Sequence, residues 1–123
     1  MEKHLLSKST FIRALQCMKS LYLYKNHYAL RDPLSPEKLA IFKRGTNVGV
    51  LARKLFPGGI DASPSHPSKL PQAVIKTKEL IGAGAEIIYE AAFQYEQVLV
   101  LLDILVKQNG KWYGYEEIGR AHV

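Results

Sequence analysis

The dipeptide Asn109-Gly110 constrains this chain more than any other feature of its sequence. It is the strongest short-range signal for a two-residue β-hairpin turn, because Asn and Gly tolerate the positive φ that such turns require. Before it, residues 98–107 form an apolar, β-branched run interrupted by one acid, Asp103. After it, residues 111–116 (Lys-Trp-Tyr-Gly-Tyr-Glu) return as a second strand. If Asn109 and Gly110 are the loop, Gln108 faces Lys111, and pairing outward brings Asp103 opposite Glu116. Such a pair is expected to be non-hydrogen-bonded, with Cβ atoms roughly 4.5–5.5 Å apart on one face. Two carboxylates at that separation repel each other unless a cation lies between them, and oxygen donors suit a divalent ion.

A further strand is expected over residues 86–93, joined to the hairpin through residues 94–97. With Tyr95 and Glu96 as the turn, Glu90 pairs with Leu101 and Ile88 with Asp103. The pleat then puts Ile87, Tyr89, Ala91, Phe93, Val98, Val100, Leu102, Ile104, Val106, Tyr113 and Tyr115 on one face. That face is apolar or aromatic throughout and is expected to be the core. Ile88, Glu90, Leu99, Leu101, Asp103 and Glu116 share the other face, so Glu90 is the third candidate acid.

The N-terminal half reads as helical. Residues 6–25 carry Ser7 and Ser9 as N-cap candidates, with helical apolar spacing from Phe11 onward. Ser35-Pro36-Glu37 reads as N-cap, N1 and N2 of a helix reaching Leu55. Its stripe of Ile41, Gly45, Val48, Ala52 and Leu55 predicts close approach of another backbone at Gly45 and Ala52. Gly45 and Gly49 each cost about 1 kcal/mol relative to Ala, so a break is expected near them. Phe56-Pro57-Gly58-Gly59 is a turn, residues 59–63 a short strand, and residues 71–81 a helix ended by Gly82-Ala83-Gly84. The fold class expected is α+β, with N-terminal helices on a small antiparallel sheet of about three strands.

Charge divides the chain. Its net charge is +6 over 123 residues, but residues 1–56 carry +8 and the remainder −2. A basic half beside an acidic half suits a protein that tracks nucleic-acid phosphates near a metal-binding centre. Lys38, Lys43, Arg44, Arg53 and Lys54 are the candidate phosphate contacts. No apolar run is long enough to span a membrane. The polar N-terminus and lone cysteine fit a cytoplasmic chain without internal disulfides. Cys17 reads as a small buried hydrophobe. His4, His27, His66 and His122 lack metal-ligand spacing. Ser7 and Ser9 lack a histidine–acid arrangement. Tyr22, Tyr24, Tyr28 and Trp112 read as core aromatics sooner than base-stacking ones.

These residues carry a resemblance. Asp103 in one strand and Glu116 in its hairpin partner are similar to the first two members of the Asp…Glu-x-Lys signature of PD-(D/E)XK nucleases. Leu6-Ser7-Lys8-Ser9, Leu15-Gln16-Cys17, the glycine-spaced run from Phe42 to Gly59, Tyr89-Glu90-Ala91-Ala92-Phe93 and Asp103-Ile104-Leu105 resemble a bacterial domain of unknown function. That domain is grouped with RecB-type and CRISPR-associated exonucleases. The resemblance spans residues 6–116 and implies an incomplete nuclease core. It implies Mg²⁺ or Mn²⁺ on Asp103, Glu116 and Glu90, DNA as substrate of the intact parent, and, in that parent, a 4Fe-4S cluster with Cys17 as one ligand. Two positions depart from the pattern. Gly49 stands where many relatives carry histidine, and Ile118 stands where the lysine belongs. Residues 117–123 (Glu-Ile-Gly-Arg-Ala-His-Val) back-translate into a widely used sequencing-adapter sequence, so they are expected to be a non-native tail. The chain itself is then expected to be inactive. The alternative is a catalytically silent module that binds nucleic acid or docks a partner.

Overall fold

The computed structural model describes residues 5–117; of the expected non-native tail, residues 117–123, all but Glu117 lie outside them. The described residues form four helices and a four-stranded sheet, an α+β fold. The helices are α1 (Lys8–Gln16), α2 (Met18–Asn26), α3 (Pro36–Arg53) and α4 (Leu70–Gly82). The strands are β1 (Ile60–Asp61), β2 (Ile87–Tyr95), β3 (Val98–Gln108) and β4 (Lys111–Tyr115), in that spatial order. The sheet is mixed, because β1 lies parallel to β2 while the other neighbours are antiparallel. The expected three-stranded antiparallel sheet thus gains a short parallel edge.

The Asn109-Gly110 turn forms as its residues dictate, with φ of +52° and +76°. Gln108 faces Lys111, and the β3–β4 ladder runs to Ile104 opposite Tyr115. It stops one pair short of Asp103 and Glu116. The β2–β3 turn falls on Glu96 and Gln97, since Tyr95 pairs with Val98. Glu96 takes a positive φ of 52°, a conformation its side chain does not advertise. Every β2–β3 partner therefore shifts by two residues from the expected register. Ala91, Phe93 and Leu102, expected on the core face, pack in one cluster with Ile88 and Leu105 of the other face.

The faces are filled differently from the expectation. The β1–α4–β2 crossover lays α4 over the face predicted to be open. Ala73 and Val74 of α4 pack on Ala92 and Leu99. Leu80 and Ile81 pack on a cluster containing Ile88, Leu105 and Ala62. Ile88 is fully buried, a contribution of about 1.5–3 kcal/mol from its side chain. Thr77, also fully buried, fastens helix to strand: its Oγ1 donates to Ala73 O (2.8 Å) and accepts from Ala92 N–H (3.0 Å). The face predicted as core is only partly covered. Tyr89, Ile104 and Val106 are buried there under Ala52 and Phe56, while Val98, Val100, Tyr113 and Tyr115 are exposed.

The predicted first helix is two. Cys17 adopts an extended backbone (φ −165°, ψ 112°), closes α1 through its N–H and opens α2 through its carbonyl. It is exposed, not a buried hydrophobe. Ser7 caps α1 and Ser35 caps α3, with Pro36 in the first turn. The N-terminal segment is tied to the sheet by Leu6, whose N–H donates to Gln97 O (2.7 Å) and whose carbonyl accepts from Leu99 N–H (2.8 Å). The glycines do not break α3, and its stripe is covered only at Ala52: Ile41, Val48 and Leu55 are exposed. A Cβ on Gly45 would meet nothing within 4 Å, so the expected close approach is absent there. Among the described residues no helix is long and apolar enough to cross a membrane.

Candidate functional site

The two strands that carry the acids meet beside the end of α3. Tyr89 pairs with Ile104 and Ala91 with Leu102, so Glu90 lies across from Asp103. The sequence register had given Glu90 the apolar partner Leu101; the turn at Glu96-Gln97 replaces it with a second carboxylate. Glu90 also holds a positive φ of 56°, sparsely populated for a non-glycine residue and costing of order 1–3 kcal/mol. Burial pushes its carboxyl above the usual carboxylate range; the negative charge of Asp103 adds to this, and the Arg53 guanidinium opposes it.

Arg53 is the counterion of this cluster. Its Nη1 lies 3.0 Å from Asp61 Oδ2 and its Nη2 3.8 Å from Glu90 Oε1. Its guanidinium sits 4.8 Å from the centre of the Tyr89 ring. Tyr89 in turn donates its hydroxyl proton to Phe56 O and accepts from Gly59 N–H (3.1 Å). A Cβ on Gly59 would run into the Tyr89 ring and the Ile87 side chain, which requires glycine there. The Phe56-Pro57-Gly58-Gly59 turn and the Tyr89-Glu90 segment are thus one interlocked unit that delivers Arg53 and Asp61 to Glu90. Burial acts to raise the Asp61 carboxyl, but hydrogen bonds from Ser63 and the charge of Arg53 outweigh it and hold the group below its usual value.

Asp103 and Glu116 are not the direct pair that the hairpin predicts. Asp103 Oδ2 accepts from the Glu117 backbone N–H at 2.7 Å, and Glu116 reaches Lys8 Nζ of α1 at 3.6 Å. All three predicted acids nevertheless line a single open groove of about 1010 Å³, walled by the starts of α1 and α4. Lys8 and Lys25 line it as well. A Cβ built on Gly49 would lie 3.4 Å from Glu117 Oε1, so α3 passes the acidic end of the groove at this residue. Glu117 has its carboxyl raised by burial and by Asp103.

The donor chemistry fits a hard divalent cation, since it consists of carboxylates. The arrangement is one facing pair, Glu90 and Asp103, with Glu116 turned toward Lys8. Among the described residues no three His, Cys, Asp or Glu side chains converge as a metal-binding group. The basic residues separate likewise. Arg53 is half-buried in the site and committed to two acids, whereas Lys38, Lys43, Arg44 and Lys54 are exposed on α3 and just beyond it. Cys17 lies at the α1–α2 junction, outside the acidic groove. Sequence reasoning missed Asp61, Lys8 and Lys25. Asp61 had a readable signal in its place directly after the glycine turn; the two lysines reach the groove only through tertiary packing. Comparison with protein-family models, curated proteins and solved structures returns no match for this chain.

Proposed function

We propose that the chain carries the carboxylate part of a metal-dependent nuclease site of the PD-(D/E)XK kind, acting on DNA in the intact parent. The observation that carries this reading is Glu90 facing Asp103 in a groove that also receives Glu116 and two lysines. Asp103 and Glu116 would hold Mg²⁺ or Mn²⁺, with Glu90 as third or water-bridging acid. Such an ion, when bound, supplies Lewis-acid activation of a phosphodiester. Lys8 and Lys25 would meet phosphate oxygens at the groove wall, and Arg53 partly offsets the burial that disfavours the Glu90 carboxylate.

Ile118 stands at the lysine position of the signature, so that position supplies no group to steady the attacking hydroxide or the developing charge. A specific observation favours the second reading, a catalytically silent nucleic-acid-binding module: Glu90 is already paired with Arg53, and Glu116 with Lys8.

Calorimetric titration of Mn²⁺ into the purified chain separates the two. The metal reading expects saturable binding that Asp103→Asn weakens by roughly tenfold or more, since even outer-shell losses reach that size. Equal binding by both proteins, or none, leaves the silent module. Under either reading the chain shows no appreciable Mg²⁺-dependent cleavage of DNA, and robust cleavage would overturn the argument from the missing lysine.

A further inference from the structure

A second hollow lies away from the acidic groove, between α1, α2 and the 3₁₀ turn Tyr28–Leu30, and encloses about 300 Å³. This is at the small end of the range for ligand sites. Its lining is chemically one-sided. Arg13, Lys19 and Arg31 contribute cations, and no carboxylate lines it. Two of these cations are already arranged on aromatic faces: the Arg13 guanidinium is 4.5 Å from the centre of the Tyr24 ring, and that of Arg31 is 4.3 Å from the centre of Tyr28. The two tyrosine rings meet edge to face, with centres 5.3 Å apart. The tyrosines read from sequence as core are therefore at the surface, Tyr28 being 48% exposed. Each guanidinium covers one face of its ring, and the cations of the hollow meet no carboxylate in its lining.

We propose that this hollow binds a nucleotide, its base against the Tyr24 and Tyr28 rings and its phosphate among Arg13, Lys19 and Arg31. Aromatic rings accept any base through its π-face, and arginine is the side chain best matched to phosphate oxygens. The first turn of α2 opens on the same hollow, and its N-cap residue, Cys17, makes no side-chain cap hydrogen bond. A free anion would need only the cations, and an uncharged aromatic only the tyrosines. The combination selects a planar ring joined to a phosphate, either a mononucleotide or the phosphorylated end of a strand. The site needs no metal and does not rest on the reading of the acidic groove.

The test is titration of dTMP into the full chain, with divalent cations removed, followed by amide chemical shifts. Thymidine and inorganic phosphate are run as controls. The expected result is saturable shifts confined to α1, α2 and the 3₁₀ turn, with each control weaker than dTMP by about tenfold. Arg13→Gln and, separately, Arg31→Gln each weaken dTMP by a similar factor; both residues are on the surface, so the fold is retained. A 5′-phosphorylated hexathymidylate binding more tightly than dTMP identifies a strand end as the ligand, and equal affinity identifies the mononucleotide. The proposal is overturned by an absence of shifts, by thymidine or phosphate matching dTMP, by shifts centred on Glu90 and Asp103, or by unchanged affinity in both arginine variants.

Discussion

From Leu70 to Val106, α4 and the β2–β3 hairpin bury apolar side chains against each other on two consecutive strands, with Thr77 bonded to both helix and sheet. Helix α3 is longer than α4, yet it has no buried residue and leaves Leu39, Ile41, Phe42, Val48, Val50 and Leu51 exposed. Both helices start with a proline in the first turn and both carry apolar residues at helical spacing. The difference is what each is offered. A crossover between parallel strands must return over the sheet, and that covers α4. Helix α3 enters the fold only at its end, where Ala52 and Phe56 reach Tyr89 and Val106. Periodicity makes a helix possible; connection geometry decides whether its stripe is used.

The strongest way to break this contrast is by truncation on each side. Ile88→Ala is expected to cost about 2–5 kcal/mol in urea denaturation, whereas Phe42→Ala on α3 should stay within about 0.5 kcal/mol. Comparable losses would mean that α3 is packed in solution. Thr77→Val comes next. It keeps the volume but leaves the Ala92 N–H without its acceptor, and should cost about 1–3 kcal/mol, largely restored by Thr77→Ser. A neutral Thr77→Val would show that the helix–sheet joint is held by apolar contact alone.

The smallest effect concerns charge. Because the folded Glu90 carboxyl titrates above its unfolded value, the fold binds the proton more tightly than the unfolded chain does. The stability this gives is present below the ordinary glutamate range and is lost as pH rises through the raised value. Wild type should therefore lose stability relative to Glu90→Gln as pH is raised from about 4 to about 8, by a few tenths of a kcal/mol, since the group is partly exposed. An unchanged difference would mean that Arg53 fully offsets both burial and the Asp103 charge.

The same contrast explains what could be read in advance. Asn109-Gly110 prescribes its own φ values, so the β3–β4 register was legible to the residue. No such pair marks the β2–β3 turn, where Glu96 takes the left-handed conformation instead. The resulting two-residue shift hid the partner of Glu90. The covering of the acidic face was hidden for another reason. It follows from β1 pairing in parallel with β2, and two residues of strand carry no periodic signal. The break at Cys17 was equally silent, with neither Gly nor Pro to mark it. In the candidate site, the acids were visible because carboxylates interrupt an apolar strand. Arg53 was read as a phosphate contact, and its engagement with Asp61, Glu90 and Tyr89 was not legible, because those residues are distant in sequence.

Leu6 bonds to Gln97 and Leu99, residues on the far side of the chain from it. During synthesis, α1 and α2 would leave the ribosome long before that anchor exists. At about 5–20 residues per second, the wait is roughly 5–20 s. For that interval their exposed apolar and basic surfaces are available to chaperones or to polyanions in the cell.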